Sequence, residues 1–196
     1  MASSAVYRYV ASRDELLTML IVDAYDAVGE VAEQAALDSR RRSPRRRWIA
    51  VASAVRAWAL ANPHEYALVY GSPVPGYRAP EQTTSSGTRV SFALLSIVRD
   101  AAAKGALAPA RPAGVPAPLA ADLRQLRATV ELDVDDATLL AVLLAWTQLF
   151  GLLSFEIFNQ TRGVVTDHRA LFDAATGAMA EAIGLEATRP AGAATS

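Results

Sequence analysis

The chain has no cysteine and a single lysine, Lys104, in 196 residues. Without cysteine there is no disulfide scaffold, no thiolate metal site and no thiol nucleophile. That absence fits a reducing compartment. Histidine is nearly as scarce. His64 and His168 stand far apart, and neither has the His-Glu-x-x-His spacing of a zinc protease. The first is expected on a helix surface, the second at a helix start. There is no phosphate-cradling glycine loop and no Gly-x-Ser-x-Gly elbow. Carboxylate pairs such as Asp135 and Asp136 read as charges favoured at a helix N-terminus. The expectation is a protein that is not an enzyme, with no catalytic residue, no metal site and no cofactor. The net charge of −1 excludes a globally basic nucleic-acid coat and leaves room only for a local patch.

A secretory signal is also missing. Met1 to Tyr9 contains no apolar core and soon meets Arg13, Asp14 and Glu15. The expected location is the cytoplasm. The uncharged stretch from Ala137 to Phe155 approaches the length of a bilayer span. It is interrupted by Thr138, Thr147, Gln148, Gly151 and Ser154, and its flanks are acidic, without a basic anchor. A buried helix of a soluble protein is expected there, and no membrane partner.

What the chain does have is helical material. Apolar residues make up 52% and charged residues 20%, which suits a packed core and argues against general disorder. Alanine occurs 41 times, and 18 arginines face the one lysine. This skew looks like GC-rich coding, so single arginines carry little weight. No period-2 alternation and no Asn-Gly or Asp-Gly hairpin signal is present. The fold class expected is all-α.

Prolines and caps divide the chain. A short helix is expected from Ser3 to Val10. Ser12, with Glu15 three residues on, opens a long helix whose apolar stripe runs through Leu16, Leu20, Ala24, Val28, Val31 and Ala35. Ser43 and Pro44 open a third helix through Trp48, Val55 and Leu60, and Asn62 and Pro63 a short fourth that ends at Gly71. The Pro-, Gly- and Ser-rich residues 72–87 predict a loop. Further helices are expected at about 88–104, 119–128, 137–160 and 167–183, with Gly184 as the last stop. Residues 105–118, with four prolines, predict the most flexible internal segment, and 187–196 a frayed tail.

The run Arg40-Arg41-Arg42-Ser43-Pro44-Arg45-Arg46-Arg47 is the densest positive charge. It invites a DNA-binding reading. A helix joining Arg13 to Arg40 would span ~40 Å at ~1.5 Å per residue. If the N-terminal end meets DNA, this run points away from it. A solvated loop, or a contact to acid, phosphate or partner, remains open for it.

The N-terminus is the most specific stretch. Val6-Tyr7-Arg8-Tyr9-Val10-Ala11-Ser12-Arg13-Asp14-Glu15-Leu16-Leu17 resembles the end of the helix-turn-helix in the tetracycline-repressor (TetR) family. That pattern is an aliphatic residue, Tyr, two variable positions and an aromatic, followed by Lys or Arg opening a long helix. The resemblance implies a DNA-facing set of Ser3, Ser4, Ala5, Tyr7, Arg8, Tyr9 and Arg13. Small residues would let bases approach the leading end of the recognition helix. Tyr7, Tyr9 and Arg13 would donate to phosphates, and Arg8 to a guanine edge or a phosphate. Family members carry two more helices, on the order of 30 residues, before this point. Met1 stands where the family places the turn into the recognition helix. Either the true start lies upstream, or this is a ligand-binding helical dimer that has lost DNA binding.

The body extends the resemblance. Trp58 to Pro73 looks like a segment of actinobacterial regulators with a Trp-His-Gly type C-terminal domain, and Ala145-Trp146-Thr147-Gln148-Leu149-Phe150-Gly151 resembles that domain's namesake motif. Phe150 stands where His is usual. The resemblance implies three regions: 1–38, a remnant of the DNA-binding head plus a connecting helix; 39–188, a ligand-binding and dimerisation domain; and 189–196, a flexible tail. It further implies a ligand-responsive repressor that binds operator DNA as a homodimer through its last two helices. A small apolar or aromatic ligand is expected in a pocket lined by Tyr66, Tyr70, Phe92, Trp146 and Phe150.

Overall fold

The computed structural model describes residues 12–111 and 114–185, apart from the side chain of Gln82. Among the described residues there are eight helices and no strand. The expected first helix and the tail at 187–196 lie outside them.

The long helix α1 runs Arg13–Asp38. It starts where Ser12 accepts a hydrogen bond from the Glu15 N–H at 3.1 Å, which satisfies one of the orphan donors of the first turn. It ends at Ser39, whose hydroxyl turns back to donate to the Ala35 carbonyl at 2.6 Å. Ile21, Ala24, Val28, Ala32 and Ala36 are buried at three- and four-residue intervals, one stripe against the body. Helix α2, Pro44–Ala61, opens on a proline, whose missing N–H would have had no helical partner. Helix α3, Pro63–Tyr70, begins the same way and stops at Gly71.

The region read as a loop from its Pro, Gly and Ser content is partly helical. Gln82–Gly87 forms a short helix, α4. Thr83 and Ser86 are buried, and the Thr83 hydroxyl donates to the Pro80 carbonyl at 2.7 Å. Packing of α4 on α1 outweighs the poor helix propensity of a Thr-Ser-Gly run. Helices α5, Arg89–Ala103, and α6, Ala117–Val130, follow.

The segment between α5 and α6, expected to be the most flexible, is tied down in its described part. The Ala108 N–H donates to the Gly184 carbonyl at 2.9 Å and the Arg111 N–H to the Ala182 carbonyl at 2.8 Å. Ala110 is buried. Gly184 permits this twice over. Its φ of 91° is the left-handed conformation that caps a helix, and a Cβ there would sit 2.1 Å from the Ala108 oxygen.

Helix α7, Asp136–Ile157, is capped by Asp135, whose carboxylate accepts from the Thr138 N–H at 2.7 Å. By length and composition it passes as a bilayer span, but half of its apolar window is buried inside the fold, against α2, α3, α6 and α8. Helix α8, His168–Ile183, is the last described helix and packs on α7 and α2. Between α2 and α7, Arg56 and Glu156 form a two-pronged ion pair, Nε to Oε2 at 2.8 Å and Nη2 to Oε1, nearly closed off from water. The hydrogen bonds it donates to Glu156 are the main reason the Arg56 guanidinium holds its proton more tightly than usual.

The arginine run divides between both readings left open for it. Arg40, Arg41, Arg42 and Arg46 are exposed, while Arg47 is buried and reaches Asp100 of α5 at 2.7 Å.

Among the described glycines, the tightest approach of another helix is at Gly29, where a Cβ would meet the Arg89 Cβ at 2.7 Å. That neighbour is a stem atom, not a flexible tip, so one helix must move to admit it. Gly29→Ala is expected to destabilise the protein by about 1–3 kcal/mol despite alanine's better helix propensity. A lowered midpoint in urea unfolding checks this, and an unchanged or raised midpoint would contradict the close approach.

Candidate functional site

Of the seven residues singled out for DNA contact, Ser3, Ser4, Ala5, Tyr7, Arg8 and Tyr9 lie outside the described residues. Arg13 is the first residue of α1 and is exposed. Close above it, Met19 and Leu20 leave about half their surface uncovered, at 51% and 46%.

The five residues proposed for a ligand pocket fall into two groups. Tyr66, Tyr70 and Phe150 make a packed wedge between α3 and α7. Tyr66 is fully buried, its hydroxyl donates to the Phe150 carbonyl at 3.0 Å, and Ser154 Oγ lies 2.9 Å from it. Tyr70 stacks on Phe150 with centroids 4.2 Å apart and tilts against Tyr66 at 5.1 Å, while Tyr25 of α1 meets it edge-on at 5.9 Å. Burial pushes the hydroxyls of Tyr25, Tyr66 and Tyr70 up from the usual tyrosine range, most strongly for Tyr70. All three are neutral phenols near pH 7.

Phe92 and Trp146 do something different. They stand half open at the rim of a cavity of about 300 Å³, open to solvent on one side and bordered by α2, α5, α6 and α7. Leu94, Leu139 and Leu143 are among its walls and Trp48 among its deepest residues. The size suits a small organic molecule, and the lining is almost entirely apolar. The Trp48 indole nitrogen is buried without an acceptor, an expensive arrangement for a donor. Trp146 touches Phe150 edge-on at 5.7 Å, so the wedge and the cavity adjoin. Trp48, Leu94 and Leu143 were not foreseen as lining. Their helical spacing marks them as inward-facing, but no spacing distinguishes a wall from a filled core.

A second cleft, of about 490 Å³, lies between α1, α3, α4 and the segment before α4. Thr88 borders both spaces. One residue further on, Arg89 joins α5 to α1. Its Nε and Nη2 hold Glu33 at 2.9 and 2.7 Å, and its Nη1 holds Asp26 at 3.0 Å. The start of α5 thus carries a cavity wall on one residue and a clamp to the N-terminal helix on the next.

Among the described residues the outer face of α7 is largely uncovered, although Phe158 also meets the Tyr66 ring at 6.3 Å. Leu144, Phe155 and Phe158 are 48%, 55% and 42% exposed along it, and Gly151 between them opens onto empty space. On the neighbouring α8, Ala170, Ala174 and Ala178 form an exposed small-residue ridge.

The histidines make no such constellation. His64 is exposed, and His168 has Nδ1 3.4 Å from the Thr161 hydroxyl. Among the described residues no three potential metal ligands come together.

Residues 48–179 match a family profile described as "Tetracyclin repressor-like, C-terminal domain". The chain is 40% identical over 178 residues to the HTH-type transcriptional regulator Rv1816 of Mycobacterium tuberculosis (strain H37Rv), an alignment covering 90% of this chain and 76% of that protein. The HTH-type transcriptional regulator Mb1846 of Mycobacterium bovis is similar to the same degree over the same shares. Among solved structures, one described as a regulatory protein, SCO4313, superposes with a TM-score of 0.67 at 33% identity, covering 91% of this chain and 79% of that one.

The clamp has a pH signature. The hydrogen bond from Arg89 lowers the Glu33 pKa in the folded state below its ordinary value. The stabilisation it brings is therefore present above the unfolded pKa and lost as pH falls through the lower folded one. The gap in melting temperature between the native chain and Glu33→Gln is expected to narrow on acidification from neutral to below the ordinary glutamate pKa. A gap that stays constant across that range would remove Glu33 from the clamp.

Proposed function

Because the chain belongs to the tetracycline-repressor-like (TetR) family of helical transcriptional regulators, we propose that it is a ligand-responsive repressor binding operator DNA as a homodimer. The observation that carries this reading is the apolar cavity whose wall begins beside the Arg89 clamp on α1. The ligand is small, uncharged and mainly apolar or aromatic.

Filling the cavity presses on Thr88, Ser91 and Phe92 at the start of α5. Arg89 passes that displacement to Asp26 and Glu33 of α1, the helix that leads back to the DNA-facing residues. The ligand lowers DNA affinity by as much as it prefers the displaced state. Of the DNA-facing set, Tyr7, Tyr9 and Arg13 would hold phosphates, Arg8 would take a guanine or a phosphate, and Ser3, Ser4 and Ala5 would let bases approach.

Pairing uses the outer faces of α7 and α8. The apolar stripe of Leu144, Phe155 and Phe158, with the Gly151 gap and the alanine ridge, suits a close four-helix contact about a two-fold axis. Two heads would then meet successive major grooves on one side of the duplex. In this scheme 1–38 serves as the head and connector, 39–188 as the sensing and pairing body and 189–196 as a tail. The protein works in the cytoplasm, alongside the chromosome.

Three measurements on the protein purified from its native host test this. Light scattering is expected to give a dimer, and Phe155→Glu to weaken it by at least about tenfold. A strict monomer would sink the pairing scheme. Operator fragments selected from genomic DNA should bind with an affinity that falls by about a thousandfold between roughly 50 and 200 mM salt. No salt-dependent binding to any duplex would exclude the repressor. Arg89→Gln is expected to keep cavity ligand binding while removing ligand-driven release from DNA. Release that persists undiminished would place the coupling elsewhere.

A further inference from the structure

The larger cleft has no part in the scheme above. Its apolar walls include Ile21, Leu68 and Val74, and no charged side chain lines it. Its side-chain polar atoms are hydroxyls, and nearly all their protons are already committed. Thr18 donates to the Asp14 carbonyl at 2.8 Å, so in its 2.9 Å contact with Tyr77 the phenol must be the donor. Tyr25 donates to the Val69 carbonyl at 3.2 Å, Thr83 to Pro80 at 2.7 Å and Thr88 to Ser85 at 3.0 Å. Thr84, exposed at the rim, can act either way. Each committed hydroxyl still has lone pairs, so the side chains of the wall offer acceptors and almost no donors.

We propose that this cleft is a second ligand site, selective for a small neutral aromatic molecule that carries an O–H or N–H donor, such as a phenol or an indole. The volume of about 490 Å³ admits one such molecule. The rings of Tyr25 and Tyr77 supply aromatic wall, and the missing charge removes any advantage for an ion. A ligand without a donor leaves desolvated acceptors unpaired and is disfavoured. Because Thr88 borders both spaces, an occupant here meets the start of α5 from a different side than an occupant of the smaller cavity. The site stands whether or not the chain binds an operator.

Indole and 1-methylindole differ chiefly by the N–H and make the test. Titrating the full chain with each, and following backbone amide shifts by NMR, reads site and affinity together. Indole is expected to shift the amides of Tyr77, Thr84 and Gly87 and to bind about fivefold tighter than 1-methylindole. Tyr77→Phe removes one acceptor oxygen and should shrink that ratio. Thr84→Trp obstructs the rim and should abolish the shifts, with a thermal melt confirming that the variant folds. Val74→Phe fills the interior and replaces it if it does not. Equal affinity for the two probes overturns the proposal. So do shifts confined to the cavity of Phe92 and Trp146, or no shift up to the solubility limit of indole.

Discussion

The close approach of α1 and α5 at Gly29 sets the geometry on which the rest of the body depends. Only a residue without a Cβ lets the stem of Arg89 lie against α1. From that position the guanidinium forks to Glu33 on one side and Asp26 on the other. The charges are partly exposed, so the ion pairs themselves contribute modestly. Their value is positional. They fix the start of α5, and Thr88 at that start divides the two cavities. Steric contact sets the spacing, and electrostatics fixes the register along α1.

A different device holds the other side of the bundle. Arg56 and Glu156 join α2 to α7 where little water reaches them. The Arg56 guanidinium also lies 5.2 Å from the centre of the Phe172 ring of α8. One side chain thus bridges three helices, which favours a single arrangement of them. Such a pair is weak evidence of net stability but strongly resists the loss of one partner.

Most helix ends were legible because they depend on neighbours in sequence. Ser12, Pro44, Pro63, Asp135 and Gly184 act within a few residues, and each stands where a helix begins or stops. Helix α4 was not legible, since its residues disfavour a helix and packing, mainly on α1, makes one. The anchoring of residues 105–111 was hidden for the same reason: its partners, Ala182 and Gly184, are far away in sequence. The candidate site was half legible. Aromatic residues on α3, α5 and α7 were visible, but whether they close on each other or line a void depends on how helices approach. Tyr66, Tyr70 and Phe150 close into a wedge, and Phe92 and Trp146 stay open on the cavity. Phe150 shows the choice clearly: its ring stacks on Tyr70, and its backbone carbonyl accepts from Tyr66.

The placement of the tryptophans gives the body a built-in optical reporter. The chain has three of them. Trp48 and Trp146 both line the smaller cavity, one fully buried and one 37% exposed at its rim, while Trp58 sits in the core. The two cavity indoles therefore start from opposite polarity, one emitting toward the blue and the other toward the red. A molecule entering between them dries the outer ring and alters the surroundings of the inner one. Occupancy of that space is written into the intrinsic emission spectrum without any added label. The larger cleft, with tyrosine but no tryptophan in its wall, lacks such a direct signal.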